Sequence, residues 1–221
     1  MLAKDLISDV IPIIKTSESG QNALNWMEIF RISHLPIVNN RDYLGLISDS
    51  DIYNFNKVEE AIGGHPLSLI RPHVFDYQHI YEVIEIVARL KLSIIPVLDE
   101  KNQYLGCISI QDLVQQFATL SSVIDLGGII VLELNVNDYS LSEISQIVES
   151  NDVKILSLYI SSHKDSTKLD LTLKLNTTNL AAVIKAFERY DYDIKASFLD
   201  DDNIDMMYND RFDSFMNYLN I

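Results

Sequence analysis

Ile32-Ser33-His34-Leu35-Pro36-Ile37-Val38, followed by Tyr43-Leu44-Gly45-Leu46-Ile47-Ser48-Asp49-Ser50-Asp51-Ile52, decides the fold because it comes back. The second copy is Leu92-Ser93-Ile94-Ile95-Pro96-Val97-Leu98, then Tyr104-Leu105-Gly106-Cys107-Ile108-Ser109-Ile110-Gln111-Asp112-Leu113. Pro96 lies 60 residues after Pro36, whereas Gly106, Ser109 and Asp112 lie 61 after Gly45, Ser48 and Asp51. One residue has therefore been inserted in the intervening hairpin. Such a period predicts two copies of one supersecondary unit, each burying its apolar face against the other. Two related units face to face also make two related clefts.

Working outward, the spacing of Ala23, Leu24 and Met27, repeated by Val83, Ile84 and Val87, predicts amphipathic helices over Gly20–Phe30 and Ile80–Leu90. Short strands follow through Pro36-Ile37-Val38 and Pro96-Val97-Leu98. Polar hairpins come next, Asn39-Asn40-Arg41-Asp42 and Asp99-Glu100-Lys101-Asn102. Second strands over 43–47 and 104–108 end at Ser48 and Ser109 and feed second helices. Gly63-Gly64-His65-Pro66 punctuates the copies. This gives domains at 1–62 and 63–126.

Beyond Gly127-Gly128 the period changes. Strands are expected at 129–136, 155–161, 168–176 and 194–199, with helices at 141–148 and 180–190. In the third strand Leu169, Leu171, Leu173 and Leu175 alternate with polar residues, which predicts half-burial. The order βαββαβ is the ferredoxin-like split unit, placed at 127–200. Asp200-Asp201-Asp202 reads as an acidic linker. In the final segment, 201–221, Tyr208, Phe212, Phe215, Met216 and Leu219 form a helical apolar stripe. The fold class is α/β, with tandem repeats followed by this second domain.

A net charge of −15, spread over both halves, repels phosphate backbones and anionic headgroups and argues against nucleic-acid or membrane partners. No apolar run reaches the roughly 18–20 residues of a membrane helix, and the N-terminus lacks a signal peptide's pattern, so a cytoplasmic location is expected. The single cysteine, Cys107, sits in an apolar strand pattern and predicts a buried, inert thiol. There is no P-loop, dinucleotide fingerprint, HExxH or CxxC. Catalysis is not expected, no cofactor is required, and His65, His73, His79 and His163 show no metal-ligand spacing and are expected to face solvent.

The chemistry lies where Gly-h-h-Ser-x-x-Asp is duplicated. A hydroxyl at a strand end with an acid three positions on fits a helix cap at Ser48 and Ser109. It also fits a ligand site, since a helix N-terminus attracts phosphate and a fixed carboxylate can accept ribose hydroxyls. Together these elements resemble a CBS domain pair (a Bateman module) over about residues 1–122. The resemblance implies an adenosine-containing ligand: AMP, ADP, ATP or S-adenosylmethionine. It implies that Asp51 and Asp112 hold ribose and that Ser48 and Ser109 line the ribose or phosphate side. The walls would be residues 33–36, with His34, Leu35 and Pro36, and residues 93–96, with Ile94, Ile95 and Pro96. His34 stands where the family often has a basic phosphate partner, Ile94 stands there in the second copy, and Arg71 and His73 are expected to add charge.

Residues 128–200 resemble an ACT-type domain, although Asp138-Tyr139-Ser140-Leu141 replaces the Pro-Gly turn with which that family approaches amino acids. The layout is similar to acetoin-utilisation-type (AcuB-like) bacterial proteins. The expectation is a non-catalytic regulatory protein that senses an adenosine ligand through a homodimer. The alternatives are a ligand-free dimeric scaffold and an amino-acid sensor working through the ACT-like domain.

Overall fold

The computed structural model describes residues 1–199 except 9, 56, 66–69 and 163–166. The stripe expected at Tyr208–Leu219, the linker at Asp200-Asp201-Asp202, Pro66 and His163 lie outside these. The chain divides into two compact units, Met1–Phe117 and a second beginning at Ala118.

In the first unit the repeat governs the local structure as well as the sequence. Helices α1 (Gly20–Phe30) and α3 (Ile80–Leu90) fall at the expected positions. Ser19 caps α1 by accepting from Asn22 N–H, and its counterpart His79 caps α3 by accepting from Tyr81 N–H. Both helices stop at a left-handed residue, Arg31 and Lys91, which turns the chain into the next strand. Strands β1 (His34–Asn39) and β2 (Asp42–Ser48) pair antiparallel. So do β4 (Ile94–Leu98) and β5 (Tyr104–Ser109), with left-handed Asn40 and Asn102 in the two turns. A bulge falls at Ile37/Val38 and again at Val97/Leu98. Strand β3 (Val74–Phe75) lies parallel to β4, matched by a single parallel bridge from Ile14 to Ile37.

The two copies exchange their leading segments. Ser8 bridges to Cys107 in the second copy, while Ile70 bridges to Leu46 in the first. Gly106 permits the first crossing, because a Cβ there would lie 2.4 Å from the Ile7 side chain. Apolar residues of both copies form one core in which Leu35, Ile37, Ile47, Ile95, Val97 and Ile108 are fully buried. Each such side chain contributes roughly 1.5–3 kcal/mol relative to exposure. The second helices differ: α2 (Asp49–Tyr53) has 5 residues and α4 (Ile110–Leu120) has 11. After α2 the chain folds back, and Gln21 N–H donates to Val58 O over Gly20, whose absent Cβ leaves room for Ile52 and Phe55.

The second unit contains β6 (Ile129–Asn135), α5 (Leu141–Glu149), β7 (Ile155–Ser162), β8 (Lys168–Leu175), α6 (Ala181–Arg189) and β9 (Asp193–Phe198). The four strands are antiparallel in the order β7-β8-β6-β9, as the ferredoxin-like split unit requires. Leu132, Leu171, Leu173, Ile144, Val183 and Phe187 fill the core between sheet and helices. Gly127 enters the sheet at φ 157°, where a Cβ would stand 1.9 Å from Leu175 O.

Strand β8 departs from the expected half-burial. Asp170, Thr172 and Lys174, on the face away from the helices, are only 8–9% exposed. The alternation thus reports chemical type rather than burial. The first compact unit ends at Phe117, inside α4.

Candidate functional site

Both Ser-x-x-Asp motifs fold as caps. In the first copy Ser48 Oγ accepts from Asp51 N–H at 3.1 Å, and Asp51 Oδ2 accepts from Ser48 N–H at 2.9 Å and from Ser48 Oγ–H at 2.6 Å. In the second, Ser109 Oγ accepts from Asp112 N–H at 3.0 Å and donates to Asp112 Oδ2 at 2.6 Å. The sequence spacing alone dictates this reciprocal arrangement. In both copies it is Oδ2 that takes part. The caps thereby orient the carboxylates at the C-terminal ends of β2 and β5.

The strand register sets the wall residues opposite these caps: His34 pairs with Ser48, and Ile94 with Ser109. Asp49 N–H donates to Ser33 O, and the equivalent Ile110 N–H donates to Ser93 O. The two walls then meet. Ser33 N–H donates to Ser93 Oγ at 3.0 Å, and Ser93 Oγ lies 3.0 Å from His34 Nδ1. Ser33 Oγ lies 3.1 Å from the same nitrogen, and Ser93 N–H approaches it at 3.4 Å. An approaching backbone N–H makes Nδ1 an acceptor, which favours the neutral ring with its proton on Nε2. Burial agrees, lowering the His34 pKa against the opposing pull of Asp49 and Asp51.

Three groups expected to bring charge to the site have the following surroundings. His34 links the two copies through Ser93, and its lowered pKa disfavours the charged ring. Arg71 Nε–H donates to Leu44 O, four residues before Ser48 and about 13 Å back along β2 at strand rise. His73 packs edge-on against Phe75 at 5.2 Å, near the same end. His65 is half-buried and stacks on Phe55 at 4.0 Å, whereas His79 is exposed as expected and caps α3.

Of the wall residues, Leu35, Pro36, Ile94, Ile95 and Pro96 are buried, His34 is half-buried, and Asp51 is exposed. Ser33 and Ser93 were named only as ends of the wall segments, yet they join the two copies. Their 60-residue repetition was the available signal. Cys107 is buried beneath Tyr104, whose hydroxyl donates to Sγ at 3.3 Å. Burial pushes its thiol up to about 12, so thiolate is negligible at neutral pH.

The α1–α2 and α3–α4 grooves occupy equivalent places and differ in chemistry, the first mixing charged and polar residues with Leu24, Met27, Ile32 and Tyr53. The first, of about 570 Å³, is lined by Gln21, Asn25, Glu28, Arg31 and Asp49 among others. The second, of about 240 Å³, is wholly apolar: Ile84, Val87, Ile110, Leu113, Val114 and Phe117. Ala88 replaces Glu28, and Ile110 replaces Asp49.

In the second unit a cavity of about 400 Å³ opens by the turn after β6, lined by Glu133, Asn135, Asp138, Glu143, Tyr192 and Asp193 among others. Tyr192 Oη–H donates to Glu143 at 3.0 Å, and burial together with that carboxylate pushes the phenol up to about 12. Among the described residues no helix is long and apolar enough to cross a membrane.

Comparison with known proteins bears on the first unit. A segment of 112 residues is 26% identical to inosine-5'-monophosphate dehydrogenase of Methanocaldococcus jannaschii, covering 50% of this chain but only 22% of that enzyme. Among solved structures, a CBS domain pair/ACT domain protein of Thermotoga maritima shares 16% identity, covering 54% of this chain and 98% of that one, with a TM-score of 0.48. CBSX2 in complex with AMP shares 18%, covering 53% and 96%, with a TM-score of 0.46. The CBS domain family model matches residues 3–56 and again 71–119, one match for each copy of the repeat. Residues 3–56 and 71–119 therefore each match a CBS domain, and a ferredoxin-like unit follows them in sequence.

Proposed function

We propose that this chain is a non-catalytic regulatory module in which the CBS pair binds an adenosine-containing ligand and transmits its presence through a homodimer. The observation that carries this reading is the pair of Ser-capped carboxylates, Asp51 and Asp112, held at equivalent strand ends beside a seam where Ser33, His34 and Ser93 join the copies. Fixed carboxylates suit vicinal ribose hydroxyls. His34, whose charged form is disfavoured and whose ring lies close enough for Asp49 and Asp51 to act on it, suits ligands of low negative charge. AMP and S-adenosylmethionine are accordingly expected to outrank ADP and ATP. Ligand binding shifts a dimer only if its two arrangements bind with different affinity.

The dimer of the 25.2 kDa chain is assigned to the α3–α4 groove, an apolar surface of the kind two-fold partners bury. The second unit is read as a structural ACT-type domain. Asp138-Tyr139-Ser140-Leu141 in place of a Pro-Gly turn disfavours the amino-acid sensor.

Calorimetric titration of AMP, ADP, ATP and S-adenosylmethionine tests the reading. Heat is expected from at least one, weakened about tenfold or more by Asp51→Ala or Asp112→Ala, a change of about 1.4 kcal/mol. Silence from all four overturns it in favour of the ligand-free scaffold.

A further inference from the structure

Ser33 and Ser93 stand at equivalent places, one residue before β1 and β4, and both are half-buried. Their neighbours are buried: Ile32 and Leu35 in the first copy, Leu92 and Ile94 in the second. Each serine carbonyl receives the first N–H of a helix. Asp49 N–H donates to Ser33 O at 3.1 Å, and Ile110 N–H donates to Ser93 O at 3.0 Å. Those helices, α2 and α4, carry Asp51 and Asp112 two residues further on. The same serines also cross between the copies. Ser33 N–H donates to Ser93 Oγ, while Ser93 N–H and both hydroxyls converge on His34 Nδ1 within 3.0–3.4 Å. A ring nitrogen offers one lone pair, so displacing any of the three redistributes the others. A continuous run of hydrogen bonds therefore leads from the start of α2, through Ser33, His34 and Ser93, to the start of α4.

Resting on the reading that Asp51 and Asp112 hold an adenosine ligand, we propose that Ser33 and Ser93 are positioning residues that couple the two clefts. A ligand held by Asp112 firms the start of α2 through the seam, and a ligand held by Asp51 firms the start of α4. Close packing transmits a small shift rather than absorbing it, and the buried Ile32, Leu35, Leu92 and Ile94 leave this seam little slack. The first ligand orders a wall that both clefts share, so the second meets it already ordered and binds more tightly. Linkage makes the effect reciprocal: each site raises the affinity of the other by the same factor. Because Ile94 stands opposite His34 in the repeat, a single ring serves both directions.

Amide exchange resolved by residue, on the full chain with saturating AMP or S-adenosylmethionine, tests the coupling. In Asp51→Ala only the second cleft keeps its carboxylate, yet ligand is expected to slow exchange of Asp49 N–H about fivefold or more. In Asp112→Ala ligand is expected to slow Ile110 N–H by a similar factor. Protection confined to the copy that binds overturns the proposal. Adding Ser93→Ala to either protein should abolish the transfer while leaving protection in the binding copy, and Ser93→Thr, which keeps the hydroxyl, should restore it. His34→Leu gives a second break that leaves Ser93 unaltered. Transfer that survives both Ser93→Ala and His34→Leu overturns the role of the seam. Absence of both heat and protection from either ligand is a different result, which overturns the ligand reading and the coupling together.

Discussion

The two CBS copies share helix boundaries, bulges, left-handed turns and cap geometry, yet their helical grooves differ. The first mixes polar with apolar residues and ends in the five-residue α2, whereas the second is wholly apolar and bounded by the full α4. Backbone geometry has thus been kept while surface chemistry has diverged. This is physically permissible, because a repeat is held by its inward residues and turns while its outward helix faces carry little of the folding energy. The same asymmetry reaches the seam, where His34 has no counterpart but Ile94.

The shared interior should give the largest effects. Leu35→Ala and Ile95→Ala, at matching and fully buried positions, are each expected to cost about 2–5 kcal/mol in chemical denaturation. A negligible cost at one position would break the equivalence of the two interiors. The grooves should then separate the copies. Val114→Glu with Phe117→Glu is expected to weaken dimerisation about tenfold or more, roughly 1.4 kcal/mol, while Tyr53→Glu in the first copy leaves it intact. Light scattering at micromolar concentration distinguishes these outcomes, and equal effects from both would move the interface away from α3–α4.

The caps sharpen the comparison at smaller scale. Ser48→Ala and Ser109→Ala should each cost about 0.5–2 kcal/mol. Ser109 is expected at the upper end, since it is buried and starts the longer helix. Thermal melts giving the reverse order would mean that α2 is held more firmly than its length implies.

The smallest effect concerns His34. Burial lowers its folded pKa below the unfolded value near 6.5, so the unfolded chain takes up a proton that the folded ring refuses. Its contribution is therefore complete above pH 6.5 and is lost as pH falls through the lowered folded value. His34→Gln, which keeps an acceptor for Ser93, should flatten that part of the stability–pH curve. An unchanged slope would exclude His34 as the titrating group.

Much of this architecture is written locally. Gly20–Phe30 and Ile80–Leu90 were legible because an amphipathic helix announces its period, and the two hairpins because Asn and Asp tolerate left-handed turns. The βαββαβ order was legible for the same reason, since periodicity changes from 2 to 3.6 along it. Ser48-x-x-Asp51 and Ser109-x-x-Asp112 were readable as caps because a capping box closes within four residues. The exchange of Ser8 and Ile70 between copies was not legible, nor was the burial of Asp170, Thr172 and Lys174.

The sequence by itself thus determined the period, the elements and the placement of two carboxylates at strand ends, all consequences of neighbours a few residues apart. Tertiary structure alone decided that Ser93, 59 residues from His34, would accept a hydrogen bond from Ser33 N–H and contact the His34 ring, whose burial lowers its pKa. It also turned Arg71 to Leu44 O, away from the caps, and closed the chain over Gly20 to end α2 early. Charge state and groove shape depend on which distant groups displace water from a side chain, and no local pattern carries that information.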